Sequence, residues 1–232
     1  MYRCGTEYVN WYLVEEGGRL TIVDCGAKGY WPQLDRALEQ LGRTRDDIAA
    51  AVLTHGHADH VGFAERLRSE SGTPVLVHED DEEMVRTGKR QKTEGSMLPY
   101  LRHPFAYRMI SHLVRNGPSI AKVNELTTYA DGQRLDVPGN PLAIHTPGHS
   151  RGHCVLEFEN ALLVGDALCT LNPLTGSRGP QLAPDAFNVD TAQALESLAR
   201  LPEAPLLAFG HGDPWTEGTA AAVSRARQAA SA

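Results

Sequence analysis

The sequence predicts an α/β fold, and three observations carry that expectation. Short apolar runs rich in β-branched residues alternate with segments of helical period; two pairs of runs are joined by turn-forming residues; and four runs end in residue types that bind metal. With 232 residues the chain can bury a full core, so one domain over residues 1–232 is the expectation.

In chain order, residues 8–14 and 20–24 are rich in Val, Ile, Tyr and Trp and flank Glu16-Gly17-Gly18, which predicts a hairpin. Pro32 then starts a helix whose Leu34, Leu38 and Leu41 share one face, with Gly42 at its end. Residues 48–53 form a buried strand that runs into Thr54-His55-Gly56-His57-Ala58-Asp59-His60, and helical spacing resumes at Val61, Ala64 and Leu67. Residues 74–78 make a further strand, followed by an acidic first helical turn over 79–83.

Between about residues 84 and 122 eight basic side chains face one acidic residue, Glu94. Phe105, Met109 and Leu113 share a helical face there while Pro99, Pro104 and Pro118 interrupt the pattern, which predicts a helical insertion between sheet elements. Strand character returns near Leu126, turns at Asp131-Gly132, and continues over 142–145 into Thr146-Pro147-Gly148-His149-Ser150-Arg151-Gly152-His153. Residues 154–158 and 161–165 flank Glu159-Asn160 as a second hairpin that delivers Asp166. Asn188 is the expected cap of a helix carrying Ala192, Leu195 and Leu198. A last strand, 206–209, ends in Gly210-His211-Gly212, and a closing helix is expected from Thr216 onward.

His55, His57, Asp59 and His60 place four ligand-type side chains within six residues, and no packing role suits such a group. Imidazole with carboxylate fits zinc or iron better than calcium or magnesium, which take oxygen ligands alone. Adding His149, Asp166 and His211 gives seven ligands, enough for two three-ligand sites that share one carboxylate. The net charge of −7 argues against a nucleic-acid partner, since phosphate binding needs a basic surface. Cys4, Cys25, Cys154 and Cys169 form no CxxC pair and are expected as free thiols. No secretory leader or membrane-spanning run is present at the N-terminus or within the chain, so a cytoplasmic protein without membrane association is expected.

In these motifs the sequence resembles the metallo-β-lactamase superfamily: HxHxDH, a TPGHSxGH-like loop, Gly-Asp and Gly-His occur in order from Asp24 to His211. The resemblance implies a four-layer αββα sandwich of two similar halves, with metals at one edge of the paired sheets. It implies His55, His57 and His149 on one metal, Asp59, His60 and His211 on the other, and Asp166 bridging. Two zinc ions are the implied cofactors, with iron or manganese as alternatives. Metals roughly 3.5–4 Å apart would activate a bridging hydroxide and polarise a carbonyl oxygen. Asp59 is a candidate for orienting that nucleophile. Asp24 and His153 also match family positions and are expected to support the ligands by hydrogen bonding. His78, His103, His112 and His145 receive no role.

The implied reaction is hydrolysis of a small ester, thioester or lactone. A mononuclear-iron oxidoreductase on the same scaffold, of the persulfide dioxygenase type, is the alternative, although the Arg-containing signature of that branch is absent from residues 168–175. Cys169 stands where the homoserine-lactonase branch carries tyrosine, and the 21 residues after His211 are too few for the helical substrate domain of glyoxalase II. The insertion is expected to wall the substrate pocket or to serve a homodimer contact. An arginine or lysine among its eight basic residues is the candidate anchor for a small-molecule substrate with a distal negative charge, with Arg102, Arg108 and Arg115 the ones to test.

Overall fold

Successive residues along the central strands go to different cores, which makes this a layered molecule. The computed structural model describes residues 1–231. It opens with strands β1 (Tyr2–Gly5), β2 (Asn10–Glu16) and β3 (Arg19–Val23), then helix α1 (Trp31–Gln40), strand β4 (Ile48–Val52), helices α2 (Ala58–Val61) and α3 (Ala64–Ser71), and strand β5 (Val75–His78). Helices α4 (Glu79–Thr87) and α5 (Pro104–Asn116) follow, then β6 (Thr127–Tyr129). The second half holds β7 (Leu142–His145), β8 (Cys154–Phe158), β9 (Ala161–Gly165), β10 (Cys169–Leu171), β11 (Arg178–Gln181), α6 (Thr191–Ser197), β12 (Leu207–Phe209) and α7 (Thr219–Ala230).

Strands β1 to β6 lie in sequence order in a six-stranded sheet, antiparallel through β3 and parallel from there to β6. The second sheet runs β12-β9-β8-β7, with β12 parallel to β9 and the other pairs antiparallel; β10 and β11 form a separate ribbon. On β2, Trp11 and Leu13 face one buried cluster with Leu34 and Leu38 of α1, while Tyr12 and Val14 face another. That second cluster also takes Cys154 and Leu156 from β8, so it is the seam between the sheets. Val155, Leu162 and Val164 point the other way and pack with Leu198, Ala222 and Ala226 in a third cluster. A strand reverses its side chains every residue, so three apolar seams separate four layers, helix on sheet on sheet on helix.

Most expected elements occur within a residue or two of their places, including both hairpins. The turn at Gly17-Gly18 has φ of 57° and 80°, a left-handed pair that only glycine adopts freely. Three features differ from expectation. β1 precedes the first hairpin as an edge strand. The 84–122 stretch contains the end of α4, irregular chain, a short 3-10 turn (Leu98–Arg102) and one full helix, α5. The cap of α6 is Asp190, whose Oδ1 accepts from the Gln193 N–H at 2.8 Å, and Asn188 is used elsewhere.

The rim at the strand ends is stitched by polar side chains that reach between the halves. The Asn10 amide donates to the carbonyls of Phe209 and Gly212, and the Tyr12 hydroxyl donates to Phe209 as well. Thr54 gives its N–H to Asp24 Oδ1 and receives the Cys154 N–H on its carbonyl. Asp81, fully buried in the first turn of α4, accepts from the Gly56 N–H, the Ser150 hydroxyl, the Gly152 N–H and the Gln91 amide at 2.6–2.9 Å. One carboxylate thus holds both histidine loops and the start of the insertion. Asp81→Ala removes the acceptor for three buried donors and one part-buried amide, each buried donor left unsatisfied at about 1–3 kcal/mol. A loss of at least ~3 kcal/mol in urea-denaturation stability is the expected outcome.

Candidate metal centre

Each of the seven ligand-type residues sits just beyond a strand, because the C-terminal ends of β4, β7, β9 and β12 all reach the same rim. His55 and His57 follow β4, and Asp59 and His60 lie in the short helix α2 that turns the chain back. His149 comes from the tight loop after β7, Asp166 directly follows β9, and His211 follows β12. Asp166 Oδ2 lies 3.1 Å from His211 Nε2, 3.5 Å from His60 Nε2, 3.5 Å from His149 Nε2 and 4.0 Å from His55 Nε2. The Asp59 carboxylate is 3.6 Å from His211 Nε2. Two ligand groups emerge, His55, His57 and His149, and Asp59, His60 and His211, with a third set, His55, His60 and Asp166, linking them, and in each the ligand atoms lie within 4.8 Å of one another.

The close approach depends on small residues. A Cβ at Gly210 would stand 2.1 Å from Asp166 Oδ1 and 2.6 Å from His60, so only glycine lets β12 pass beneath the carboxylate. Gly165, at φ 54°, turns β9 into Asp166 with no room for a side chain beside His153 and Thr54.

Four of the five imidazoles are fixed through Nδ1. His60 Nδ1–H donates to Asp24 Oδ2 at 2.8 Å, His149 Nδ1–H to Asn188 Oδ1 at 2.8 Å, and His211 Nδ1–H to the Tyr8 carbonyl. His55 Nδ1 pairs with Thr54 Oγ1 at 3.0 Å. This leaves Nε2 facing inward, and the buried Nε2 atoms of His55, His60 and His149, with Asp166 Oδ1, have no hydrogen-bond partner among the described residues. Such orphaned atoms are costly unless a cation takes their lone pairs, so the donor set fits bound metal.

The electrostatics divide in the same way. Burial, aided by neighbouring imidazoles, holds His55 and His57 well below the ordinary histidine pKa, which keeps their lone pairs free. Burial also works against charge at His60 and His211, but Asp166 outweighs it, with Asp24 at His60 and Asp59 at His211. His60 is raised well above its usual value and His211 to about 8. Asp166 is held well below the carboxylate range, its burial overcome by His211 and His60. The second group therefore favours positive charge.

Asp24 and His153 support the site as expected. Asp24 takes a left-handed backbone, φ 59°, unusual away from glycine, and in it binds both Thr54 and His60. His153 accepts the Asp166 N–H on Nε2 at 3.0 Å and pairs Nδ1 with Thr146. Asn188 and Asp81 lay outside the sequence-based candidate set. Asn188 is 39 residues from His149 in sequence, and Asp81 sits among acidic neighbours that suit a helix start. His78 and His145 stack on each other with centroids 4.2 Å apart, and His112 Nε2 pairs with the Tyr30 hydroxyl.

A cavity of ≈ 380 Å³ opens over the metal-facing atoms, lined on one side by His57, Asp59, His149, Asp166 and His211 and on another by α5. Arg90 alone of the eight basic residues lines it. Arg108 and Arg115 lie on the opposite face of α5, in a separate open cleft with Tyr8 and His112, and Arg102 lines neither space. Of the eight basic residues expected to offer an anchor, Arg90 is thus the one at the cavity, because helical period turns residues 108 and 115 away from the face that holds Met109 and Leu113.

The metallo-beta-lactamase superfamily model matches residues 4–211. A probable metallo-hydrolase of Bacillus subtilis is 31% identical over 88% of this chain and 67% of its own length. A hydroxyacylglutathione hydrolase of Xanthomonas campestris is 29% identical over 87% of this chain, which spans 59% of that relative. Among solved structures, a Cronobacter sakazakii metallo-β-lactamase superposes with a TM-score of 0.71 at 20% identity, covering 99% of this chain and 89% of that one. A metallo-β-lactamase family protein of Thermus thermophilus gives 0.66 at 24% identity, over 96% and 76%. With the layered fold, the ordered motifs and a family match across most of its length, the chain belongs to the metallo-β-lactamase superfamily.

Proposed function

We propose that the protein is a binuclear metal-dependent hydrolase of small carboxylic esters, thioesters or lactones. The observation that carries this reading is Asp166 Oδ2, which lies within 4.0 Å of Nε2 atoms from both ligand groups and is placed to be shared. His55, His57 and His149 would hold one zinc, Asp59, His60 and His211 the other, and Asp166 would bridge. Bound there, the metals supply Lewis acidity and lower the pKa of water to near 7.

The protein's own groups do the rest. Asp24, Thr54, Asn188 and the Tyr8 carbonyl fix ring orientation and tautomer, so that Nε2 lone pairs converge without rearrangement. The Asp59 side chain, 15% exposed at the cavity floor, can accept a hydrogen bond from an attacking water and orient it toward the carbonyl carbon. Arg90 donates through Nη2 to the Pro118 carbonyl at 2.8 Å, and the remaining donors of its fork can receive a substrate carboxylate. The relatives' names support hydrolysis, and the hydroxyacylglutathione hydrolase among them suits the acyl chemistry proposed.

Elemental analysis of protein purified without chelator should find two zinc per chain; one iron per chain, unchanged by added zinc, would instead favour oxidoreductase chemistry. Asp166→Ala should abolish turnover of an ester and thioester panel while leaving a cooperative melt. Asn188→Ala should weaken zinc affinity about 10- to 100-fold by freeing the His149 ring, measured by competition with a chromogenic chelator. Arg90→Ala should lower kcat/KM about twofold to fivefold for substrates with a distal carboxylate and hardly at all for neutral ones, the ~0.5–1 kcal/mol of one charged contact at an exposed arginine.

A further inference from the structure

Beyond its ligand-bearing floor and Arg90, the cavity is mainly apolar. Helix α5 presents Met109, Ile110, Leu113 and Val114 to it, the turn between β10 and β11 adds Leu174, and the loop before α6 adds Phe187. A small core joins these three segments, in which Ala106 of α5 packs with Leu174 and Ala186 and against Phe187. Outside it the loop is tied to the insertion by the Glu94 N–H on the Asn188 carbonyl, the Gly95 N–H on the Asp185 carbonyl and the Tyr100 hydroxyl on the Asp185 carboxylate. The wall is thus braced at several points. Val114 lines the cavity yet is 62% exposed, which places it at the mouth, while Met109 is buried at 2%. Apolar side chains therefore run from the interior out to solvent along one helix face.

An exposed valine at the mouth of a cavity and a helix face with i, i+1, i+4 and i+5 apolar residues suit a ligand that is itself apolar along its length. Polar substrates would leave this wall in contact with groups that gain nothing from it. The volume of ≈ 380 Å³ corresponds to about a dozen groups of ~30 Å³. With the ester or thioester group occupying part of that space, a chain of about six to eight carbons remains. Resting on the hydrolase reading, we infer that the substrate is a medium-chain acyl ester, thioester or lactone whose unbranched alkyl chain lies along α5.

The test uses the zinc-loaded protein and straight-chain 4-nitrophenyl esters from acetyl to decanoyl. kcat/KM should rise about threefold to fourfold per methylene, the equivalent of ~0.8 kcal/mol, and level off near octanoyl. Ile110→Asn and Val114→Asp should each lower the octanoyl-to-acetyl ratio about tenfold, with thermal melting used to verify that the variants are folded. A flat profile, a preference for acetyl, or a ratio unchanged in both variants overturns the inference. A separate binding arm titrates octanoate and acetate calorimetrically into the same protein. If no ester, thioester or lactone of any length is turned over, the hydrolase reading fails; the alkyl site still stands if octanoate binds at least tenfold tighter than acetate, and falls if the two bind alike.

Discussion

The position of one carboxylate oxygen sets most of what surrounds it. Asp166 Oδ2 stands within 4.0 Å of four imidazole nitrogens that arrive from both halves of the molecule. A buried anion at such a point is stable only where positive charge compensates it. The arrangement in turn demands a chain that passes under it without a side chain, at Gly210, and one that turns into it sharply, at Gly165. It also demands anchored rings, which is why Asp24, Asn188, Thr54 and the Tyr8 carbonyl sit behind the ligands.

How much of this could be read from the sequence depended on distance along the chain and on period. His55, His57, Asp59 and His60 are adjacent in sequence, and the strand before them is apolar with a β-branched residue at each end, so their gathering was legible. His149, Asp166 and His211 could be found because each follows a strand whose pattern is clear. Asn188 could not, because a polar residue just before a helix suits a cap equally well, and Asp190 two residues later fills that role. Asp81 is hidden among Glu79, Asp80 and Glu82, where dipole complementarity accounts for all four without distinguishing the one that is buried. β1 was missed because a four-residue edge strand with two exposed positions has almost no alternation to detect.

The insertion shows how a charge count can mislead where a helical wheel does not. The eight basic residues gave no way to choose among themselves, but the apolar face of α5 is the one that borders the ligand cluster, and 3.6-residue period sends residues 108 and 115 to the far side. Arg90 reaches the cavity from irregular chain, where no period announces direction. On the proposed reading, chemistry and selectivity occupy different parts of the molecule. The sheets carry the ligands, while a helix and a loop braced to each other carry the wall, so the wall can vary without disturbing the ligands.

The division of ligands between the halves has a mechanical consequence. His55, His57, Asp59 and His60 belong to the first sheet's side, and His149, Asp166 and His211 to the second's, so neither half alone holds a complete three-histidine or bridged set. A metal that binds here acts as a staple across the seam between the sheets. Its affinity for the docked pair over the separated halves adds to cohesion by mass action, growing with the logarithm of free metal concentration. On the proposed binuclear reading, resistance to unfolding and readiness for catalysis would draw on the same supply of ions, and depriving the protein of metal would also loosen its architecture.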